Sequence, residues 1–125
     1  MNLSTRVLLV DDDKNCREYF GTILKGAGFD VVEAQDGVEG LATYRGSNDG
    51  FTLVLSDWSM PHMDGAELMR RVLRNNDKQR VLMFSSDPSF VRNVLKNYPP
   101  LNLVKVLDKA IDSKEFLSEV ATALE

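Results

Sequence analysis

The stretch Phe51-Thr52-Leu53-Val54-Leu55-Ser56-Asp57-Trp58-Ser59-Met60-Pro61-His62-Met63-Asp64-Gly65 sets the frame for the whole chain. An apolar run, Phe51 to Leu55, leads to one carboxylate, Asp57, and then to turn residues. A strand without in/out alternation is buried on both faces, as strands of a helix-covered parallel sheet are. Asp57 is therefore expected at the mouth of such a sheet. Three further apolar runs also end on polar groups: Val7 to Val10 on Asp11 and Asp12, Val81 to Phe84 on Ser85, and Leu103 to Leu107 on Asp108 and Lys109.

Between these runs the periodicity becomes helical. Asp13 caps a first helix with Cys16, Phe20, Ile23, Leu24 and Ala27 on one face, and Gly26 and Gly28 stop it. Asp30 to Ala34 is more polar, as an edge strand is, and Asp36-Gly37 turns into a helix carrying Val38, Leu41 and Ala42 inward, ended by Gly46. After the Pro61/Gly65 turn, a helix through Arg74 buries Ala66, Leu68, Met69, Val72 and Leu73. Asp87-Pro88 opens a fourth helix with Phe90, Val91, Val94 and Leu95 inward, and Pro99-Pro100 stops it. Asp112 opens the last, with Phe116, Leu117, Val120, Ala121 and Leu124 on one side.

Five βα units imply a doubly wound α/β fold with a parallel sheet, because right-handed crossovers place helices on both faces. The flavodoxin-like order 2-1-3-4-5 makes the polar second strand an edge and sets the ends of strands one and three side by side. Asp11, Asp12 and Asp57 are then expected to converge.

At 125 residues the chain is expected to form one domain, 1–125, without an output domain. Its 43% hydrophobic and 27% charged residues fit a globular protein. No apolar run approaches the roughly 18 residues of a membrane span, and Met1 to Thr5 leads into too short an apolar run for a secretory signal, so a cytoplasmic location without membrane contact is expected. The net charge of -4 and the lack of a basic cluster argue against direct nucleic-acid binding. The single Cys16 lies on an apolar stripe and reads as core packing. There is neither a P-loop nor a dinucleotide-type glycine run.

Val10-Asp11-Asp12, the run from Asp57 to Gly65, Ser85 and Lys109 together resemble the receiver domain of two-component response regulators, CheY-like in fold, across the whole chain. The resemblance implies a phosphoacceptor. Asp57 would take a phosphoryl group from a sensor histidine kinase or a phosphotransfer protein, with Mg²⁺ held by Asp11, Asp12, Asp57 and the backbone carbonyl of Ser59. Ser85 and Lys109 would contact the phosphoryl oxygens. The modified domain would then switch protein contacts on the face made by helix four, strand five and helix five.

Each residue also has a plainer role open to it: Asp13 as a helix cap, Ser85 and Ser86 as turn serines, Lys109 as solvated surface, His62 as an exposed turn residue. The last third departs from the family pattern. Lys109 precedes Ala110 where a proline is usual, and a cis bond without proline costs about 3 kcal/mol, so a trans bond with a displaced ammonium is expected. Val106 stands where many receivers carry a switching aromatic, Ser86 replaces a smaller residue, and Lys105 is a weaker rival for the lysine role. These departures keep a second class open, a receiver-like interaction module that signals without phosphorylation.

Overall fold

The computed structural model describes residues 5–125; Met1 to Ser4, on which part of the secretory-signal reading rests, lie outside the described residues. The elements alternate: β1 (Arg6–Val10), α1 (Lys14–Gly26), β2 (Asp30–Ala34), α2 (Gly37–Gly46), β3 (Leu53–Asp57), α3 (Gly65–Asn75), β4 (Arg80–Ser85), α4 (Pro88–Leu95), a 3₁₀ turn (Leu101–Leu103), β5 (Lys105–Asp108) and α5 (Ser113–Ala123). The sheet is parallel throughout, in the order β2-β1-β3-β4-β5. The expected fold class and strand order are both present.

Alternating side chains of the central strands feed two cores. Leu8, Val10, Val54 and Met83 face α2, α3 and α4, while Val7, Leu9, Leu53, Leu55, Leu82 and Phe84 face α1 and α5. Phe20 of α1 stacks on Phe84 with centroids 4.5 Å apart, and Phe116 of α5 leans on both.

Every α-helix opens on an aspartate whose side chain accepts a first-turn N–H: Asp13, Asp36, Asp64, Asp87 and Asp112. Each cap satisfies a donor that the helix itself cannot, worth roughly 1 kcal/mol. In this fold the helices begin at the carboxyl edge of the sheet. Five positive helix ends therefore surround the place where the strand-end acids gather.

Several expected details differ. β3 starts at Leu53, and Asp57 is its last residue, paired with Phe84; Phe51 lies before the strand, under the Arg6 guanidinium. Leu103 is 82% exposed in the 3₁₀ turn, because Leu101 and Val104 on either side of it fill the core, and β5 begins only at Lys105. In α2, Val38 and Ala42 point outward, and Gly37, Gly40, Leu41 and Tyr44 face inward. Helix and sheet approach too closely for larger groups there: a Cβ at residue 40 would sit 2.9 Å from Val10 Cγ2. Phe90 is 57% exposed, since the short α4 buries only the narrow stripe of Val91 and Leu95 fully. Ala27, past the end of α1, and Ala121 are exposed as well.

Candidate phosphoacceptor site

The carboxyl ends of β1 and β3 put Asp11, Asp12 and Asp57 together, with one oxygen from each within 4.8 Å of the others. Register does this: Val10 pairs with Ser56, so the residues that follow each strand position leave the sheet side by side. Asp57 is only 6% exposed and Asp11 is buried, whereas Asp12 faces solvent.

Lys109 reaches across from the end of β5. Its Nζ lies 3.1 Å from Asp57 Oδ2 and 3.1 Å from Asp11 Oδ2. It donates to Asp11 Oδ1 at 3.4 Å, while Oδ1 also accepts the Asp13 N–H at 2.9 Å. Asp11 Oδ2 keeps the ionic contact but, among the described residues, has no hydrogen-bond donor. The expected displacement of the ammonium is absent: the Lys109–Ala110 bond is trans, yet the ammonium lies between both carboxylates. Lys105, the rival, pairs instead with Glu119 of α5.

These placements perturb the acids. Burial pushes Asp57 up to about 6 from an ordinary value of 3.8; the Asp11 charge adds to this and Lys109 opposes it. Burial also raises Asp11, against the Asp13 N–H and Lys109. For Lys109, burial favours the neutral amine, but Asp57 and Asp11 outweigh it and hold the ammonium above its usual range. A single ammonium facing clustered acids leaves negative charge to be balanced. Hard oxygen donors in this number suit a small divalent cation that keeps several waters, and the donor-free Asp11 Oδ2 fits that use.

Comparison with known proteins decides the family. The model of the response regulator receiver domain matches residues 7–121. This chain belongs to that family. The receiver is 31% identical over 120 residues to the chemotaxis protein CheY of Treponema pallidum, covering 95% of this chain and 82% of that one. It is 29% identical over 119 residues to the response regulator receiver protein CpdR of Brucella abortus, covering 95% and 96%. Among solved structures, the chemotaxis protein CheY4 of Vibrio cholerae superposes with a TM-score of 0.86 at 26% identity, covering 98% of this receiver and 100% of that chain.

Ser85, at the end of β4, is buried one position past Phe84, which pairs with Asp57. Its hydroxyl accepts the Asp87 N–H at 2.9 Å and so still holds its own proton for another acceptor. Ser59 and Ser86 are exposed on the loops after β3 and β4, and Trp58, next to Asp57, is half-buried. His62 lies exposed in the β3–α3 loop at φ 69°, outside the acid cluster. Val106 is buried in β5.

Two contacts of the receiver site went unread in the sequence. Arg17 of α1 donates from Nη1 to the Asp11 carbonyl at 2.7 Å and pairs through Nε with Glu33 Oε1 at 3.4 Å. Asp108 accepts the Ala110 N–H through Oδ1 at 2.9 Å. The first had a faint signal, an arginine beside the inward stripe of α1; the second had an aspartate two residues before an amide that proline would have removed. Among the described residues, no helix is long and apolar enough to cross a membrane.

Proposed function

We propose that Asp57 is a phosphoacceptor, modified by the phosphohistidine of a sensor histidine kinase or phosphotransfer protein in the cytoplasm. The observation that carries this is the buried Asp57 carboxylate with Lys109 Nζ at 3.1 Å and two further carboxylates within 4.8 Å. Near neutral pH an acid held at about 6 is ionised, and it is a better nucleophile than an ordinary aspartate. As its oxygen bonds to phosphorus, the donor's P–N bond breaks and the electron pair stays on the imidazole nitrogen. Lys109 would then face a phosphoryl oxygen, and Ser85 would give the hydroxyl proton that its turn leaves unused.

Asp11, Asp12, Asp57 and the Ser59 carbonyl would hold Mg²⁺. When bound, the ion neutralises charge on the transferring oxygens. Lys109 and the helix N-termini at the same edge supply the remaining positive field.

The output surface is the face of α4, β5 and α5, where Phe90 is exposed on α4 and Lys105 on β5. A partner protein that senses the β4–α4 loop would dock there. With Val106 in place of an aromatic, the response passes from Ser85 to Asp87, whose side chain caps α4 at Phe90. The absent aromatic also favours a second reading, an interaction module that signals unmodified.

Intact mass after incubation with acetyl phosphate and Mg²⁺ separates the two. One phosphate adduct, labile to alkali and lost in Asp57→Asn, is expected. A chain that takes up no phosphate while still binding its partner overturns the phosphoacceptor reading in favour of the second.

A further inference from the structure

Three successive amides fix the turn that presents Lys109. The Lys109 N–H donates to the Ser85 carbonyl at 3.0 Å, which continues the β4–β5 pairing one residue past Asp108. The Ala110 N–H donates to Asp108 Oδ1 at 2.9 Å. The Ile111 N–H donates to the Asp108 carbonyl at 3.0 Å. Asp108 thus accepts the two amides that follow Lys109, one with its side chain and one with its backbone.

The side-chain bond exists only because residue 110 is not proline. Ala110, itself exposed, carries an N–H that a proline would lack, and the next residue, Ile111, packs partly against the core. An aspartate two residues earlier can capture such an amide in an Asx turn. The result is a turn closed by hydrogen bonds where a ring would otherwise constrain it. Lys109 leaves this turn with its ammonium on Asp11 and Asp57, and its ion pairs are with these two acids rather than with Asp108.

We propose that Asp108 is a positioning residue for Lys109: by closing the Asx turn onto Ala110 it holds the lysine stem where the ammonium spans Asp11 and Asp57. Its effect on phosphorylation rests on the phosphoacceptor reading above; its effect on the ammonium does not. A displacement of about 1 Å at a site that depends on placement costs on the order of a hundredfold in rate. Loosening one of three tethers costs less, about five- to tenfold.

Asparagine also forms Asx turns but carries no charge, so Asp108→Asn keeps the turn and Asp108→Ala removes it. Two measurements on the intact chain test the role. The first needs no phosphate: the ¹⁵N signal of the Lys109 ammonium, which persists only when hydrogen bonds slow its exchange with water. It is expected in the native chain and in Asp108→Asn, and lost or broadened in Asp108→Ala. The second is the rate of Asp57 modification by acetyl phosphate and Mg²⁺, expected to fall about five- to tenfold in Asp108→Ala and less than about twofold in Asp108→Asn.

Because Asp108 acts through Lys109, Asp108→Ala is expected to add nothing in a Lys109→Ala background. Equal losses in the alanine and asparagine variants, an unchanged ammonium signal in Asp108→Ala, or additive losses in the Lys109→Ala background would each overturn the proposal. If the native chain takes up no phosphate while the ammonium signal follows the expected order, the phosphoacceptor reading fails and the positioning role stands.

Discussion

The backbone of Gly65 rests directly on the carbonyl of Asp57: a Cβ at residue 65 would overlap that oxygen and lie 3.0 Å from the Cα of Trp58. The Gly65 N–H donates to the Trp58 carbonyl at 2.8 Å, and Ser56 Oγ donates to the Asp57 carbonyl at 2.9 Å. The start of α3 is thereby clamped to the end of β3, at both ends of the loop bearing Ser59. Gly65→Ala is expected to destabilise the fold by about 1–3 kcal/mol, since the contact is with backbone that cannot turn aside. A lowered urea midpoint at unchanged slope would show it; a midpoint equal to that of the native chain would mean that the loop yields.

Divalent metal is expected to stabilise the chain. Asp11, Asp12 and Asp57 repel one another, and an ion bound only by the folded state adds about 2.7 kcal/mol at a hundredfold excess over its dissociation constant. For a chain of this size that is on the order of 10 °C in melting temperature. Millimolar Mg²⁺ should raise the melting temperature of the native chain and do much less for Asp12→Ala. Identical melting curves with and without Mg²⁺ would count against the site.

The raised pKa of Asp57 sets a sign for pH dependence. Below about pH 4 the folded and unfolded chains both hold this proton, so Asp57 contributes no difference. Between there and about 6 the unfolded chain releases it and the folded chain keeps it, so stability falls as pH rises through that window. Without metal, Asp57→Asn should remove this loss. Its melting temperature should exceed that of the native chain by a margin that widens from pH 4 to pH 6 and then levels. A margin constant over the range would contradict the burial of the charge.

Strand identity and order were legible because buried parallel strands are short, continuous and apolar, and because polar residues mark the edge strand β2. The convergence of Asp11, Asp12 and Asp57 followed from that order alone. Helix faces were less legible where glycine sets the distance. The approach of Gly40 to Val10 turns α2 so that Val38 faces out, and periodicity counts apolar residues without knowing how near a backbone can come. In the Lys109 loop the trans bond is legible and the position of the ammonium is not, for a related reason. The absence of proline after Lys109 predicts a displaced ammonium, whereas Asp108 accepts an amide that proline would have removed and the ammonium stays on Asp11 and Asp57.

Arg17 links the acid site to the far side of β1. Its guanidinium holds the Asp11 carbonyl at 2.7 Å and Glu33 at 3.4 Å; Glu33 also pairs with Lys25 at 3.4 Å, and its carboxylate lies in the space left by the missing side chain of Gly21. A charged donor on a carbonyl is worth about 1.5–3 kcal/mol when its loss leaves the acceptor unsatisfied. Arg17→Met keeps most of the stem's packing and removes the fork. It should therefore cost about 1–2 kcal/mol of stability and weaken Mg²⁺ binding severalfold, because the carbonyl it releases belongs to Asp11, whose carboxylate would meet the ion on the proposed reading. Quenching of Trp58 during a Mg²⁺ titration reads the affinity, and thermal unfolding reads the stability. Lost stability with unchanged Mg²⁺ affinity would restrict Arg17 to joining α1 with β2; loss of both, with Glu33→Gln falling between, would place it among the groups that hold Asp11 in register with Asp57.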